Sequence, residues 1–282
     1  TPMAYPDRSS DPSASVWCWR EGAVAQLRFN RPAALNAIDS AMAQGFHAAC
    51  QAIAADPLVR AVHISAEGPA FMAGGDLAAL RTDPVPVARE LIAGMHGGLL
   101  LLAQLPAPVV ASVQGAVFGG GLGLVLGCDL VVAAEGTRFG IAYPLIGASS
   151  DCSTSWGLVQ VLGLRKAMEV ALLADVLDAT EALRLGLVNR VVPPATLHAE
   201  GERLAQRLAA GPTQALGQLK RLLRAAAQND LGTHLDAEAA AFLACAQTAD
   251  FTEGVGAFLA KRRPIFTGAG PAPRPTTQTK TP

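Results

Sequence analysis

Two short glycine-rich segments have the residue types for carbonyl chemistry: Ala73-Gly74-Gly75-Asp76 and Phe118-Gly119-Gly120-Gly121. Each stands where a helix is expected to begin. The first turn of a helix has backbone N–H groups without intrahelical acceptors, at the positive end of the helix dipole. Glycine lets a ligand approach those groups closely. Two such donors converging on one oxygen form an oxyanion hole, which stabilises a carbonyl as it gains negative charge. The plainer alternative, for either segment alone, is a tight turn that needs a small residue for packing. In the segment SSDCSTSW, Asp151 precedes an expected helix, where it can cap free N–H groups. His96 lies on an Ala/Leu/Gly-rich helix, a setting in which a lone histidine is commonly half-exposed or satisfied within the core.

Metal and thiol chemistry find less support. Cys18, Cys50, Cys128, Cys152 and Cys245 are odd in number and far apart, with no CxxC and no Cys/His cluster at zinc spacing. Reduced, mostly buried thiols and no metal site are expected. Cys152 adjoins Asp151 but has no histidine base near it in sequence.

The elements that must position these groups follow from periodicity. Val16 to Phe29 reads as a hairpin turning at Glu21-Gly22, and Asp39 or Ser40 caps a helix to about Ala55 with Met42, Phe46, Ala49 and Ile53 on one face. A strand near 60–66 leads into the loop GPAFMAGGDL. A helix over about 88–104 is followed by the strand VVASVQG, the segment FGGGLGLVLGCD, the strand LVVAAEG and the short strand TRFGIA. From Trp156 the chain is mostly helical: TSWGLVQVLG, LRKAMEVALLA and DATEALRLG, then a short strand LVNRVV and two long helices over about 195–245. This order predicts an α/β fold with repeated ββα units and a helical C-terminal region.

Composition narrows the partners. The 282 residues are 51% apolar, enough for one substantial core, and the formal net charge of −1 gives no broad argument for nucleic acid or an anionic membrane surface. Apolar runs are interrupted before the roughly 20 residues that a membrane helix needs, so no membrane span is expected. The opening TPMAYPDRSSDPSAS lacks a basic region followed by an apolar stretch, which sets up the expectation of a cytoplasmic protein without a secretory signal. The expected organisation is a disordered lead (1–15), a core (16–195), a helical region (196–268) and a disordered tail (269–282).

Taken in order, LRFNRPAALNAI, FMAGGDL, PVVASVQGAVFGGGLGLVLGCDLVVA, the segment from Phe139 to Trp156, EALRLGLVNRVV and EGVGAFLAKRRPIF resemble segments of the enoyl-CoA hydratase/isomerase (crotonase) family. The resemblance spans about 16–268. It implies a crotonase-like spiral of ββα units with a helical C-terminal trimerisation region, in a trimer or a dimer of trimers. The implied substrate is an acyl-CoA thioester, with coenzyme A as part of the substrate and no separate cofactor. Carried over by position, the oxyanion donors are Gly75 and Gly120. Ala33, Leu35, Ala73, Asp76, Leu77, Phe118 and Gly119 match positions along the coenzyme A path and the oxyanion loops, and Phe258 and Lys261 match a helix that often reaches the nucleotide.

Hydratases of the family hold water with two glutamates. This chain has Gly123 at the first position and Tyr143 at the second, so ordinary hydratase activity is not expected. A single acid, Asp151, falls where several family isomerases place theirs. One carboxylate suffices to remove a proton from one carbon and return it two carbons away while the oxyanion hole holds the dienolate. Two alternatives stay open. In one, Asp151 is the nucleophile of an aroyl- or acyl-CoA dehalogenase or hydrolase with His96 as base, since His96 precedes it by the separation seen in the dehalogenases. In the other, the chain binds acyl-CoA without turning it over.

Overall fold

The computed structural model of this chain describes residues 11–270. The first ten residues of the expected lead, and the tail from 271, lie outside them.

The expected hairpin forms. β1 (Val16–Glu21) pairs antiparallel with β2 (Val24–Phe29), with Glu21 opposite Val24. α1 (Ser40–Ala55) begins where Asp39 accepts a hydrogen bond from the Met42 N–H at 2.8 Å, and it buries Met42, Phe46, Ala49 and Ile53. β3 (Ala61–Ala66) follows, then α2 (Leu77–Thr82) and α3 (Pro84–Gln104). α3 starts four residues earlier than 88, because Pro84 and Pro86 fall in its first turn, where a missing N–H costs nothing. β4 (Val109–Val113), β5 (Ala116–Phe118), α4 (Gly120–Gly127), β6 (Leu130–Ala134) and β7 (Arg138–Gly140) complete the alternating half. α5 (Thr154–Leu173) is broken at Gly163 (φ 72°, ψ 159°), between the two helical segments read from the sequence. β8 (Leu177–Asp178), α6 (Ala179–Arg184), β9 (Arg190–Val192) and α7 (Leu197–Ala209) end the first of two compact units, which divide between Ala209 and Ala210.

The larger sheet has the order β1-β2-β3-β4-β6-β9 and is parallel from β2 onward. A smaller sheet, β5-β7-β8, stands apart from it. Period-two alternation sends Leu27, Phe29, Ile64, Ala111 and Val113 into the main core, while Val24, Ala61, Val110 and Val132 pack with Leu197, Leu204 and Ala205 of α7. On the main-core side α1 and α3 lie in close contact: a Cβ on Gly98 would stand 2.3 Å from the Phe46 ring, and one on Gly94 would stand 2.7 Å from the Ala43 carbonyl oxygen. α3 is 21 residues long and contains an 18-residue stretch of mean hydropathy 1.3, enough by length and composition to cross a bilayer. Here it packs on α1 and buries Leu91, Met95 and Leu102.

Two expectations change. The boundary of the core lies at 209 and not at 195, because the apolar stripe of α7 covers one face of the large sheet. The two long helices expected over 195–245 are three, α7, α8 (Thr213–Ala225) and α9 (Leu231–Ala246), since Pro212 and the segment Gln228-Asn229-Asp230 interrupt the helical pattern. α10 (Ala249–Leu259) closes the second unit, where the buried Asp250 carboxylate accepts hydrogen bonds from the N–H groups of Thr267 (2.7 Å) and Gly268 (2.8 Å).

Candidate active site

Both glycine segments follow the carboxyl ends of parallel strands, β3 and β4, the side of such sheets on which ligands commonly bind. Three stretches of chain are stitched together there by backbone hydrogen bonds. Ile38 N–H donates to Gly74 O (2.8 Å) and Asp76 N–H to Ile38 O (2.9 Å); Met72 N–H donates to Ala116 O (3.0 Å) and Phe118 N–H to Met72 O (2.9 Å). The amides of Gly75 and Gly120 donate to no acceptor among the described residues. Gly119 adopts φ 53°, ψ −122°, a conformation open in practice only to glycine, and its own N–H turns to Gly140 O at 3.1 Å. That turn leaves Gly120 as the first residue of α4, with its N–H ahead of the helix.

Both glycines line a cavity of about 450 Å³. α2 and α3 supply an apolar wall, Leu77, Leu80, Leu91, Ile92 and Met95, and Ala73, Ile38 and Ile141 complete the lining near the glycines. Asp151 is the one carboxylate in that lining, and Tyr143 and Cys152 adjoin it. The Tyr143 hydroxyl donates to the Asp151 carboxylate and lies 3.3 Å from Thr154 Oγ1. Burial, reinforced by the neighbouring carboxylate, pushes the Tyr143 phenol well above its ordinary range, so it stays a protonated donor. The Cys152 thiol is pushed up by the same two causes, in the same order, and it is 2% exposed. A protonated, enclosed thiol is a poor nucleophile.

The capping reading of Asp151 is not met. α5 begins at Thr154, its cap residue is Ser153, and no side chain bonds to its first N–H groups. Asp151 contributes only its backbone carbonyl, which accepts from Thr154 N–H at 2.9 Å. Its carboxylate is therefore not spent on the helix; it stays in the cavity lining, held by the Tyr143 hydroxyl. At Gly123 the vacancy left by the first hydratase glutamate is filled: a Cβ there would lie 2.1 Å from the Cys152 carbonyl oxygen and 2.6 Å from Thr154 Oγ1. No side chain fits at that position without moving the 151–154 turn.

The remaining expected residues divide. Gly119 lines the cavity, whereas Phe118 does not: its ring packs so close to Gly140 that a Cβ there would meet it at 2.3 Å. Asp76 is turned away: its carboxylate accepts from the N–H groups of Ala78 (3.0 Å) and Ala79 (3.3 Å) and pairs with Arg31 at 2.8 Å, which holds it below the usual carboxylate range. It caps α2 and so fixes the direction of Gly75. Ala33 and Leu35 are exposed on and after a 3-10 turn (Pro32–Ala34) and do not line the cavity. Phe258 on α10 and Lys261 just past it belong to the second unit, and both are exposed. His96 does not line the cavity either; its Nε2 accepts the Cys152 N–H at 3.0 Å, so in this geometry that nitrogen is not available to activate water.

Reading the sequence missed Asn36 and Thr154. Asn36 is fully buried and ties three segments: its side chain accepts from Arg31 N–H (2.7 Å) and donates to Glu67 O (2.9 Å) and Ala70 O (2.8 Å). The signal was an asparagine in a Pro-interrupted loop, a residue that tolerates the left-handed conformation it adopts here (φ 54°).

A second polar constellation lies on the α7 face of the large sheet. His63 is 2.9 Å through Nδ1 from Gln26 Oε1 and 2.8 Å through Nε2 from Ser112 Oγ, with all three side chains buried. The connectivity is that of a nucleophile, base and orienting group. However, burial, then His198 and Arg28, push His63 down to about 3. Gln26 carries no charge to stabilise an imidazolium, so the trio works as an internal polar strut.

Comparisons with known proteins bear on the family and the fold. The family model described as enoyl-CoA hydratase/isomerase matches residues 20–269. The chain is 36% identical to the 1,2-epoxyphenylacetyl-CoA isomerase of Escherichia coli K12 over 252 residues, 88% of this chain and 96% of that protein. It is 31% identical to the 4-chlorobenzoyl coenzyme A dehalogenase-2 of Arthrobacter sp over 245 residues, 84% of this chain and 88% of the relative. Among solved structures, an enoyl-CoA hydratase from Polaromonas sp. JS666 superposes with a TM-score of 0.83 at 33% identity, covering 89% of this chain and 99% of the other. With an α/β fold of the crotonase type and a family match over most of its length, the chain belongs to the enoyl-CoA hydratase/isomerase family.

Proposed function

We propose that this chain is an enoyl-CoA isomerase-like enzyme that shifts a double bond toward a thioester. The observation that carries this reading is Asp151, the single carboxylate in a largely apolar cavity whose wall also holds the unpaired amides of Gly75 and Gly120. The thioester carbonyl accepts from both amides. Asp151 removes a proton from the carbon between carbonyl and double bond, the electron pair moves through the dienolate toward the carbonyl oxygen, and the same acid returns the proton two carbons farther out. Nothing is oxidised or reduced, and the proton taken from one carbon is the proton returned to the other. Tyr143 keeps the carboxylate aimed into the cavity by donating to it.

Replacing Asp151 by Asn tests this. Conversion of a 3-enoyl-CoA to its conjugated 2-enoyl isomer, followed by absorbance, is expected to fall by about two to four orders of magnitude, with calorimetric affinity for the ester nearly unchanged. Unaltered turnover removes Asp151 from the mechanism. The hydrolase alternative asks His96 for a free nitrogen, and its Nε2 is engaged by the Cys152 N–H. Ester binding without solvent-deuterium exchange at the α or γ carbon, in the unmodified protein, would instead mark a binding protein. For assembly, the exposed Leu164 and Leu172 of α5 support the expectation of a trimer or dimer of trimers, which light scattering measures.

A further inference from the structure

We infer that His96 is a positioning residue: its Nε2 holds the Asp151-Cys152-Ser153 turn to α3, and thereby sets the direction of the Asp151 carboxylate. Cys152 (φ 48°) and Ser153 (φ 62°) are consecutive non-glycine residues in the left-handed region. Such residues cost of order 1 kcal/mol each and persist only where surrounding contacts hold them. The Tyr143 hydroxyl holds Asp151 from the cavity side, and Gly157 N–H to Ser153 O (2.8 Å) belongs to the first turn of α5; three further hydrogen bonds bear on the left-handed pair. Thr154 N–H to Asp151 O (2.9 Å) closes the turn on itself and fixes nothing outside it. Ser153 Oγ to Gly123 O is long, at 3.4 Å. The Cys152 N–H to His96 Nε2 bond, at 3.0 Å, ties the turn to a core helix.

That helix is a firm anchor, because Gly94 and Gly98 seat α3 against α1 without room for a methyl group. The anchored amide lies on the peptide bond that joins Asp151 to Cys152. To accept from an N–H, Nε2 must be unprotonated, so a neutral imidazole carries its proton on Nδ1. The lock also keeps Cys152 against the glycine loop: a Cβ on Gly120 would stand 3.1 Å from Cys152 Sγ, and the Cys152 carbonyl closes the space beside Gly123. One bond from His96 thus couples the acid to the wall that holds Gly120. The catalytic consequence rests on the isomerase reading, whereas the lock itself does not.

The test uses the full chain with His96→Leu, which removes the acceptor, and His96→Gln, which keeps one at similar reach. Three quantities are measured: hydrogen–deuterium exchange in the peptide spanning Cys152, steady-state kinetics on trans-3-hexenoyl-CoA, and the imidazole nitrogen shifts of ¹⁵N-histidine-labelled wild-type protein. His96→Leu is expected to exchange faster around Cys152 and to lose at least about tenfold in kcat, with KM within about twofold. His96→Gln is expected to recover most of both losses. The wild-type shifts are expected to show His96 neutral with the proton on Nδ1. Unchanged exchange or kcat in His96→Leu, equal damage in both variants, a loss confined to KM, or a proton on Nε2 each overturns the proposal. Should wild type leave every 3-enoyl-CoA unchanged, the reaction reading fails, and exchange with tautomer still decides the lock.

Discussion

The Cys152 carbonyl oxygen lies where Gly123 has no room for a side chain, 2.1 Å from the position of a Cβ. The site has therefore closed over the place of one hydratase acid, and Tyr143 occupies the place of the other. Restoring an acid at 123 is expected to damage the site and not to create a hydratase. Gly123→Glu should add no water to 2-enoyl-CoA and should lower the unfolding free energy by about 1–3 kcal/mol through overpacking, read by urea denaturation. Measurable hydration by the variant would refute this steric account.

Tyr143→Phe keeps the ring and removes the donor to Asp151. A half-buried carboxylate that loses one hydrogen bond is less well aimed, at a cost of about 1–3 kcal/mol for a charged partner. Isomerase kcat should fall by roughly tenfold to a hundredfold, while the thioester's calorimetric affinity stays the same. Equal rates for Phe and Tyr would show that the phenol is a bystander.

Cys152 is buried and its thiol is held protonated by burial and by Asp151, whereas Cys128 and Cys245 are half-exposed. With iodoacetamide at mildly alkaline pH, Cys128 and Cys245 should be modified and Cys152 spared. Peptide mass mapping gives the answer, and early alkylation of Cys152 would contradict its enclosure.

His63 titrates at about 3 in the fold, against an ordinary value of 6.5. Between those values the unfolded chain carries the extra proton, so stability is full above the ordinary value and declines as pH falls toward the folded one. The slope is about 1.4 kcal/mol per pH unit. Urea titrations between pH 6.5 and 5, where most carboxylates remain ionised, should show that decline, and His63→Gln should flatten it. An equally steep dependence in the variant would assign the proton elsewhere.

The legible parts of this protein were those written in local chemistry. Alternation in WCWR and AVAQLRF, the Asp39 cap, the 3.6-residue stripe of α1 and the glycine segments after β3 and β4 all follow from contacts within a few residues, and the structure forms each of them. The break of α5 at Gly163 belongs with them, since glycine alone makes that conformation inexpensive. Extending the core through α7 was not legible in the same way. An amphipathic helix announces that it will bury a face, and only assembly names the sheet that receives it.

The same division holds at the cavity. By itself the sequence determined the residue types: two glycine donors, one acid at 151, and no glutamate at 123 or 143. Only the tertiary structure decided that Asp151 leaves the cap of α5 and takes a hydrogen bond from Tyr143, that Asp76 turns to Arg31, and that His96 faces the Cys152 amide. The reason is geometric. A side chain's partners across 8, 45 or 56 residues of chain depend on how separate elements are packed, and local propensity carries no information about that packing.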